Sequence, residues 1–463
     1  MRSSATNHRA HVLRKTPGEV TQEILQRYLH AGRGFWTVVV VLAVLFTLGI
    51  IGFLIRLQDG LEDRLPWGYY AATFTFLLIT VQAAPLASIA FRLARNDWRR
   101  PLARASELYA AVGLLTILMF IPLLLLLPSA EGRSTIWFKS LYRDGWPLGA
   151  PHAWDFLALL FLVVLGLGLL YTAALPDLAT VRDHATGARR RLMERLSLSW
   201  RGTPRQWAML KAALGVLGAF YFMFLIFTIT LISSDFGLSL VPGWKDSIFP
   251  PYQALAALQS AVAVMLITMF ILRNVGGFKE YLGLDQFWAL AKILLALSLL
   301  WAYFWWAGFL TFWYGRTTAE QTILELLMFG PYAVPFILAF VFCFIVPFLS
   351  LVSNPVRKSI LGPTLVASSV LLGNLFNQIR IYVASFSIED VTAGTLERVP
   401  AGHPPDAADI LIILGGLAGA ILLYLLATRL VPVLSMWEVK EGVHLRVART
   451  FMGREVTMLA KPD

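Results

Sequence analysis

The sequence predicts an all-α integral membrane protein of about ten transmembrane helices, and three observations carry that prediction. Apolar residues make up 57% of the 463-residue chain and charged residues only 14%, where water-soluble chains hold near a quarter charged residues. Mean hydropathy is +0.67. The apolar excess is gathered into runs of about 20 residues, the length a bilayer core demands of a helix.

Ten runs qualify, at roughly 35–57, 68–94, 104–128, 153–175, 206–233, 251–273, 284–314, 323–352, 359–385 and 407–435. Charge, proline or glycine bounds each one. The first follows a polar tail and is followed by Arg56 with no small-residue cleavage pattern, which predicts a retained helix rather than a signal peptide. The chain thus divides into an N-terminal tail (1–34), a membrane domain (35–436) and a C-terminal tail (437–463). In the first tail Val20, Ile24, Leu25 and Leu29 share one face of a candidate helix, suited to a membrane surface or to a docking partner.

Orientation follows from the basic residues, because loops rich in Lys and Arg stay on the cytoplasmic side. Alternate segments hold Arg95, Arg99 and Arg100, then Arg189, Arg190, Arg191, Arg195 and Arg201, then Arg273 and Lys279, then Arg357 and Lys358, matching the basic residues of both tails. An even number of spans then places both termini in the cytoplasm. Topology accounts for the net charge of +11, and no nucleic-acid partner is inferred from it.

Several function classes are excluded. A single cysteine, Cys343, allows neither an internal disulfide nor a thiolate-held iron–sulfur cluster or zinc site. The seven histidines, His8, His11, His30, His152, His184, His403 and His444, all fall outside the span interiors, where axial ligands of a transmembrane haem would stand. There is no P-loop, no dinucleotide fingerprint and no H-E-x-x-H. The chain is therefore expected to carry no haem, iron–sulfur cluster or metal of its own.

Ionisable residues inside spans are costly, which makes them functional candidates. Asp155 opens the fourth span, Asp235 ends the fifth, and Arg380 lies about twenty residues into the ninth, so all three are expected near the outer face. His152 precedes Asp155 by three residues, within reach on one helix face. Two carboxylates suit a polar headgroup that gives up protons, and an arginine can orient it. The same residues can also serve as solvated loop ends or helix caps. Toward the cytoplasm, Glu107 and Lys292 are candidates for a proton path that Thr228, Thr230, Tyr303, Asn374, Asn377 and Gln378 would extend, or else bind helices together.

The residues that carry this chemistry also carry a resemblance. Pro151–Asp155 leading to Pro176-Asp177-Leu178-Ala179, then Ser233-Ser234-Asp235-Phe236, Val241-Pro242-Gly243-Trp244 and Ile248–Tyr252, with Asn377-Gln378-Ile379-Arg380 and the tail Met436–Glu441, resemble the NrfD/PsrC-type membrane subunits. The likeness is to those of bacterial alternative complex III and runs over nearly the full length. It implies two four-helix bundles, spans two to five and six to nine, with flanking outer helices. It also implies a bacterial cytoplasmic membrane, a menaquinol or other quinol as substrate at the periplasmic face, and Asp155, Asp235 and Arg380 as site residues. The implied partners are an iron–sulfur protein that takes the electrons, multihaem cytochrome subunits and a second NrfD-like subunit.

Related subunits often have a histidine at the outer end of the third span and another shortly before the position of Asp235. This chain has Leu125-Leu126-Leu127-Pro128 and Thr230-Leu231-Ile232 there. Proton acceptance would then lean on Asp155, Asp235 and His152. Two other functions stay open: a cofactor-free anchor or proton-path paralogue without a quinol site, and a secondary transporter, which would show broken helices meeting at the bilayer midplane.

Overall fold

A computed structural model describes residues 15–127, 142–143, 146–147, 153–391, 393–451 and 454–459. Over these the chain is an all-α membrane protein. The described strands form two antiparallel hairpins, β1 (Tyr142–Arg143) with β2 (Trp146–Pro147) and β3 (Arg446–Phe451) with β4 (Arg454–Leu459).

Among the described residues eight helices are long and apolar enough to cross a membrane. They are α2 (Arg33–Gln58), the composite of α5 (Arg100–Glu107) and α6 (Gly113–Leu125), α7 (Trp154–His184), α9 (Pro204–Phe236), α10 (Phe249–Asn274), α11 (Leu284–Gly315), the pair α13 (Ala333–Phe340) and α14 (Val346–Val352), and α17 (Ala407–Leu430). The two other expected runs are helical as well. Run 68–94 becomes α3 (Gly68–Thr80) and α4 (Leu86–Leu93), parted by turns at 81–85, because Pro85 lacks an N–H and its ring crowds the carbonyl one turn back. Run 359–385 becomes α16 (Leu361–Phe386), long enough to span but carrying Asn374, Asn377, Gln378 and Arg380.

The eighth run starts earlier than its apolar stretch. Thr317 and Glu320 form a capping box that begins α12 (Thr318–Leu324), followed by a π-helical turn at Glu325–Phe329 and a break at Gly330 and Pro331. A second π-helical turn, Val341–Ile345, joins α13 to α14. Such turns leave backbone carbonyls without their usual partner inside the helix.

Spans two to five pack as one group of four and spans six to nine as another, joined where α3 meets α10 and α16. Helices α2 and α17 form a flanking pair beside α3. Their contact is glycine on glycine: a Cβ at Gly415 would stand 2.3 Å from the Cα of Gly49. Small residues at such crossings let backbones approach, which matters in lipid because apolar burial drives helix association little there. At the far end of this pair the buried Arg56 is held by Asp59, Asp406 and Asp409 at 2.7–2.8 Å.

At the opposite face the first and last described helices meet. Helix α1 (Pro17–Leu29) is capped by Thr16 and Glu19 and buries Val20, Ile24, Leu25 and Tyr28, while Leu29 is only half-buried. Its apolar face packs on the chain itself, and the Tyr28 hydroxyl donates to the carbonyls of Arg429 and Leu430. Helix α18 (Met436–Leu445) lies beside α1. The face carrying α1 and α18 is called the terminal face below.

Candidate functional site

Helix α7 rises 31 residues from Trp154 to the terminal face, about 46 Å at 1.5 Å per residue. Asp155 sits in its first turn, where a helix N-terminus favours a carboxylate. Helix α9 runs the other way and delivers Asp235 in its last turn, packed against α7. Both side chains are 0% exposed. Their carboxyl groups interact with one another, charge against charge and within hydrogen-bonding reach. The structure thus brings Asp155 and Asp235 together at the face opposite the termini, while His152 lies outside the described residues.

Arg380 is placed elsewhere. Its Nε donates to Asn377 Oδ1 at 3.0 Å and one Nη donates to the carbonyl of Leu327 at 3.3 Å, an oxygen in the π-helical turn of the eighth span. The guanidinium lies 5.3 Å from the ring centre of Phe336. Asn377 Oδ1 also accepts from the Tyr252 hydroxyl at 3.0 Å. Among the described residues none of these partners belongs to α7 or α9, so Arg380 shares the depth of the carboxyl pair without sharing its bundle.

The loop after α9 explains what Arg380 faces. Gly243 takes φ +82, which a side chain would strain, and turns the chain so that Trp244 packs on Phe249 at 4.6 Å between ring centres. Asp246 Oδ1 then accepts from the Ile248 N–H at 2.8 Å just before α10 opens on Pro250 and Pro251. Trp244, Asp246, Ile248 and Phe249 wall an aromatic cavity with Tyr252, Trp305 and Phe309, whose charged lining groups are Asp246 and Arg380. Burial pushes the Asp246 carboxyl above the usual aspartate range, against the backbone N–H groups of Ile248 and Phe249 that lower it. The sequence shows Asp246 only as one residue of the VPGW…IFPPY stretch; its place in a loop hid that it is half-buried at the cavity.

From this cavity a ladder of buried polar groups descends between α10 and α16. Beside Tyr252 and Asn377, Gln378 donates to Gln253 at 3.1 Å, and deeper Asn374 donates to Ser260 at 2.9 Å and to Gln259 at 3.4 Å. The Gln259 amide donates in turn to Ser298 and to the carbonyl of Cys343, both at 2.9 Å. That carbonyl belongs to the second π-helical turn, which presents it sideways to the side-chain amide. Gln253, Gln259, Asn374, Asn377 and Gln378 are all 0–1% exposed.

Glu107 and Lys292 do not form one path. Glu107 is buried in an ionic cluster on the terminal face, accepting from Ser88 at 2.8 Å, Arg92 at 2.6 Å and Arg104 at 3.2 Å. Arg104 also faces Asp177 at 3.2 Å, while Glu438 of α18 accepts from Arg92 at 2.9 Å and Arg99 at 2.8 Å. Lys292 is exposed, its ammonium 4.4 Å from the Trp288 ring centre. The break in the second span is packed shut: Gln82 donates to Thr116 at 3.0 Å and its carbonyl accepts from Tyr221 at 2.6 Å.

Among the described residues no group of three or more His, Cys, Asp or Glu side chains is placed to hold a metal ion. Compared with known proteins, the chain matches no family model and no curated protein.

Proposed function

We propose that this chain is the membrane subunit of a quinol-oxidising electron-transfer complex of the NrfD/PsrC type, akin to bacterial alternative complex III. The observation that carries the proposal is the Asp155–Asp235 pair, two fully buried carboxyl groups brought into contact at one membrane boundary by separate helices. Membrane bundles keep intramembrane ionisable groups for substrate sites and proton relays. Oxidation of a quinol headgroup releases two protons and two electrons. In this scheme the Asp155–Asp235 pair, whose touching carboxyls cannot both be ionised, accepts the protons one at a time as general base and passes each on before taking the next. The electrons leave to a partner iron–sulfur protein and on to multihaem cytochrome subunits, with a second NrfD-like subunit alongside in the bacterial cytoplasmic membrane. Both chain termini are then cytoplasmic and the carboxyl pair periplasmic.

The test is menaquinol oxidation by the native assembly, wild type against Asp235→Asn at matched assembly yield. A loss of about a hundredfold or more is expected, the contribution typical of a positioned general base. Unchanged turnover rejects Asp235 as the acceptor.

A second function, a proton-path paralogue, is favoured by one feature. The buried amides from Arg380 and Asn377 to Gln259 form three successive polar groups through a bundle that does not contain the carboxyl pair. Arg380 belongs to that seam, and in this proposal it orients groups in the second bundle rather than a headgroup at Asp155. The transporter alternative draws support only from the interruptions in the second and eighth spans, and the first of these is filled by Gln82, Thr116 and Tyr221.

A further inference from the structure

The terminal face holds a cavity of about 520 Å³ that the proposed quinol chemistry leaves unused. Its size lies in the range of about 300–1,000 Å³ typical of small-molecule sites. The end of α7, the loop at Trp200–Gly202, the start of α9 and helix α18 form its walls. Three indoles pack in series on it, Trp200 to Trp207 at 5.2 Å and Trp207 to Trp437 at 5.5 Å between ring centres. Tryptophan concentrates at membrane–water interfaces, so this cavity sits at headgroup level.

Its lining includes the cations Arg182, Arg201, Lys211 and Lys440 against the carboxylates of Asp183 and Glu441, an excess of two positive charges. Asp183 takes Arg182 at 2.8 Å and Glu441 takes Lys211 at 3.4 Å. Among the described residues that leaves Arg201 and Lys440 with no carboxylate in ion-pair range. Burial pushes the Lys440 ammonium below its usual range, against the charge of Asp177, which raises it from beyond ion-pair distance.

We propose that this cavity binds the headgroup of an anionic phospholipid, its phosphate drawn to Arg201 and Lys440 and its glycerol against the three indoles. Basic pockets between transmembrane helices recognise anionic headgroups in this way, each nearby Lys or Arg contributing to the attraction.

The full chain in detergent, titrated with phosphatidylglycerol, phosphatidylcholine or inorganic phosphate and followed by native mass spectrometry, tests the proposal. Phosphatidylglycerol is expected to be retained over phosphatidylcholine, and Arg201→Gln and Lys440→Gln each to weaken it about fivefold. Asp183→Asn removes a negative charge from the rim and should strengthen retention, a gain that misfolding cannot produce. Equal retention of the two lipids overturns the proposal, as does phosphatidylglycerol binding that neither Gln variant weakens. Displacement by inorganic phosphate at matched concentration would show a plain anion site instead. A polypeptide segment filling the cavity in the native assembly, with phospholipid excluded, would also refute it.

Discussion

Replacing Glu438 by glutamine should release α18 from the terminal face. Three arginines, Arg92, Arg99 and Arg104, meet three carboxylates, Glu107, Asp177 and Glu438, in one buried cluster whose charges cancel. Glu438 is 1% exposed and, among the described residues, is the one carboxylate in ion-pair range of Arg99. The glutamine variant leaves Arg92 with Glu107 but strands Arg99 in a poorly solvated site. Removing one partner of a buried ion pair costs about 3–5 kcal/mol. The loss falls on α18, whose remaining ties to α7 are the Trp437 N–H to Asp177 Oδ1 at 3.2 Å and the Trp437 indole N–H to the Ala173 carbonyl at 3.0 Å. Each of those contributes only about 1 kcal/mol. At the lower bound of 3 kcal/mol the undocked fraction rises roughly a hundredfold. Trypsin reads this directly, because Lys440 lies within α18 and is cut only when the helix opens. Cleavage after Lys440 should accelerate by about that factor where opening is fast relative to cutting. The double variant Glu438→Gln with Arg99→Gln removes the stranded charge and should recover most of the protection. A single variant cut no faster than wild type, or a double variant cut faster than the single, would refute the account.

Acid should act on the same latch. Burial alone would push the Glu438 carboxyl up, but Arg99 and Arg92 outweigh it and hold the group below the ordinary glutamate range. A depressed carboxyl stabilises the docked state above its unfolded pKa, and that stability drains away as pH falls through the folded one. Trypsin-type mapping is unsuited to acid, so pepsin cutting near α18 is the measurement, expected to rise only below about pH 4.5. In the flanking pair, Gly415→Leu should part α2 from α17, since even a Cβ there meets Gly49 at 2.3 Å. Overpacking of this kind costs typically about 1–3 kcal/mol. A lower thermal midpoint in detergent checks it, and an unchanged midpoint would show that the crossing yields.

Much of the architecture was legible because the bilayer imposes a length. All ten apolar runs became helix, and the apolar residues Val20, Ile24 and Leu25 face inward as their spacing predicts. The helix they form packs on α17 and α18, and the inward face closes on Tyr28 where the sequence pointed to Leu29. Apolarity hid the true start of the eighth span, because its first turn is polar and only the Thr317–Glu320 capping box announces it. Depth along each helix was also read from the sequence, and it set Asp155, Asp235 and Arg380 at one level. Depth gives one coordinate, however. It put Arg380 beside the carboxyl pair and Glu107 beside Lys292, and the structure separates both sets.

The sequence by itself determined the solvent of this protein and the placement and order of its apolar helical runs. These follow from local composition, since each span must satisfy its own backbone and expose apolar side chains to lipid. Tertiary structure decided which charges meet. Helix rotation and the choice of neighbour pair Asp155 with Asp235 and turn Arg380 toward Asn377 and the cavity at Asp246. They also spend Glu107 on Arg92 and Arg104, and leave Arg201 and Lys440 facing an open cavity at the terminal face. The Asp155–Asp235 pair and the meeting of Arg201 with Lys440 depend on packing between segments far apart in sequence, which no local pattern encodes.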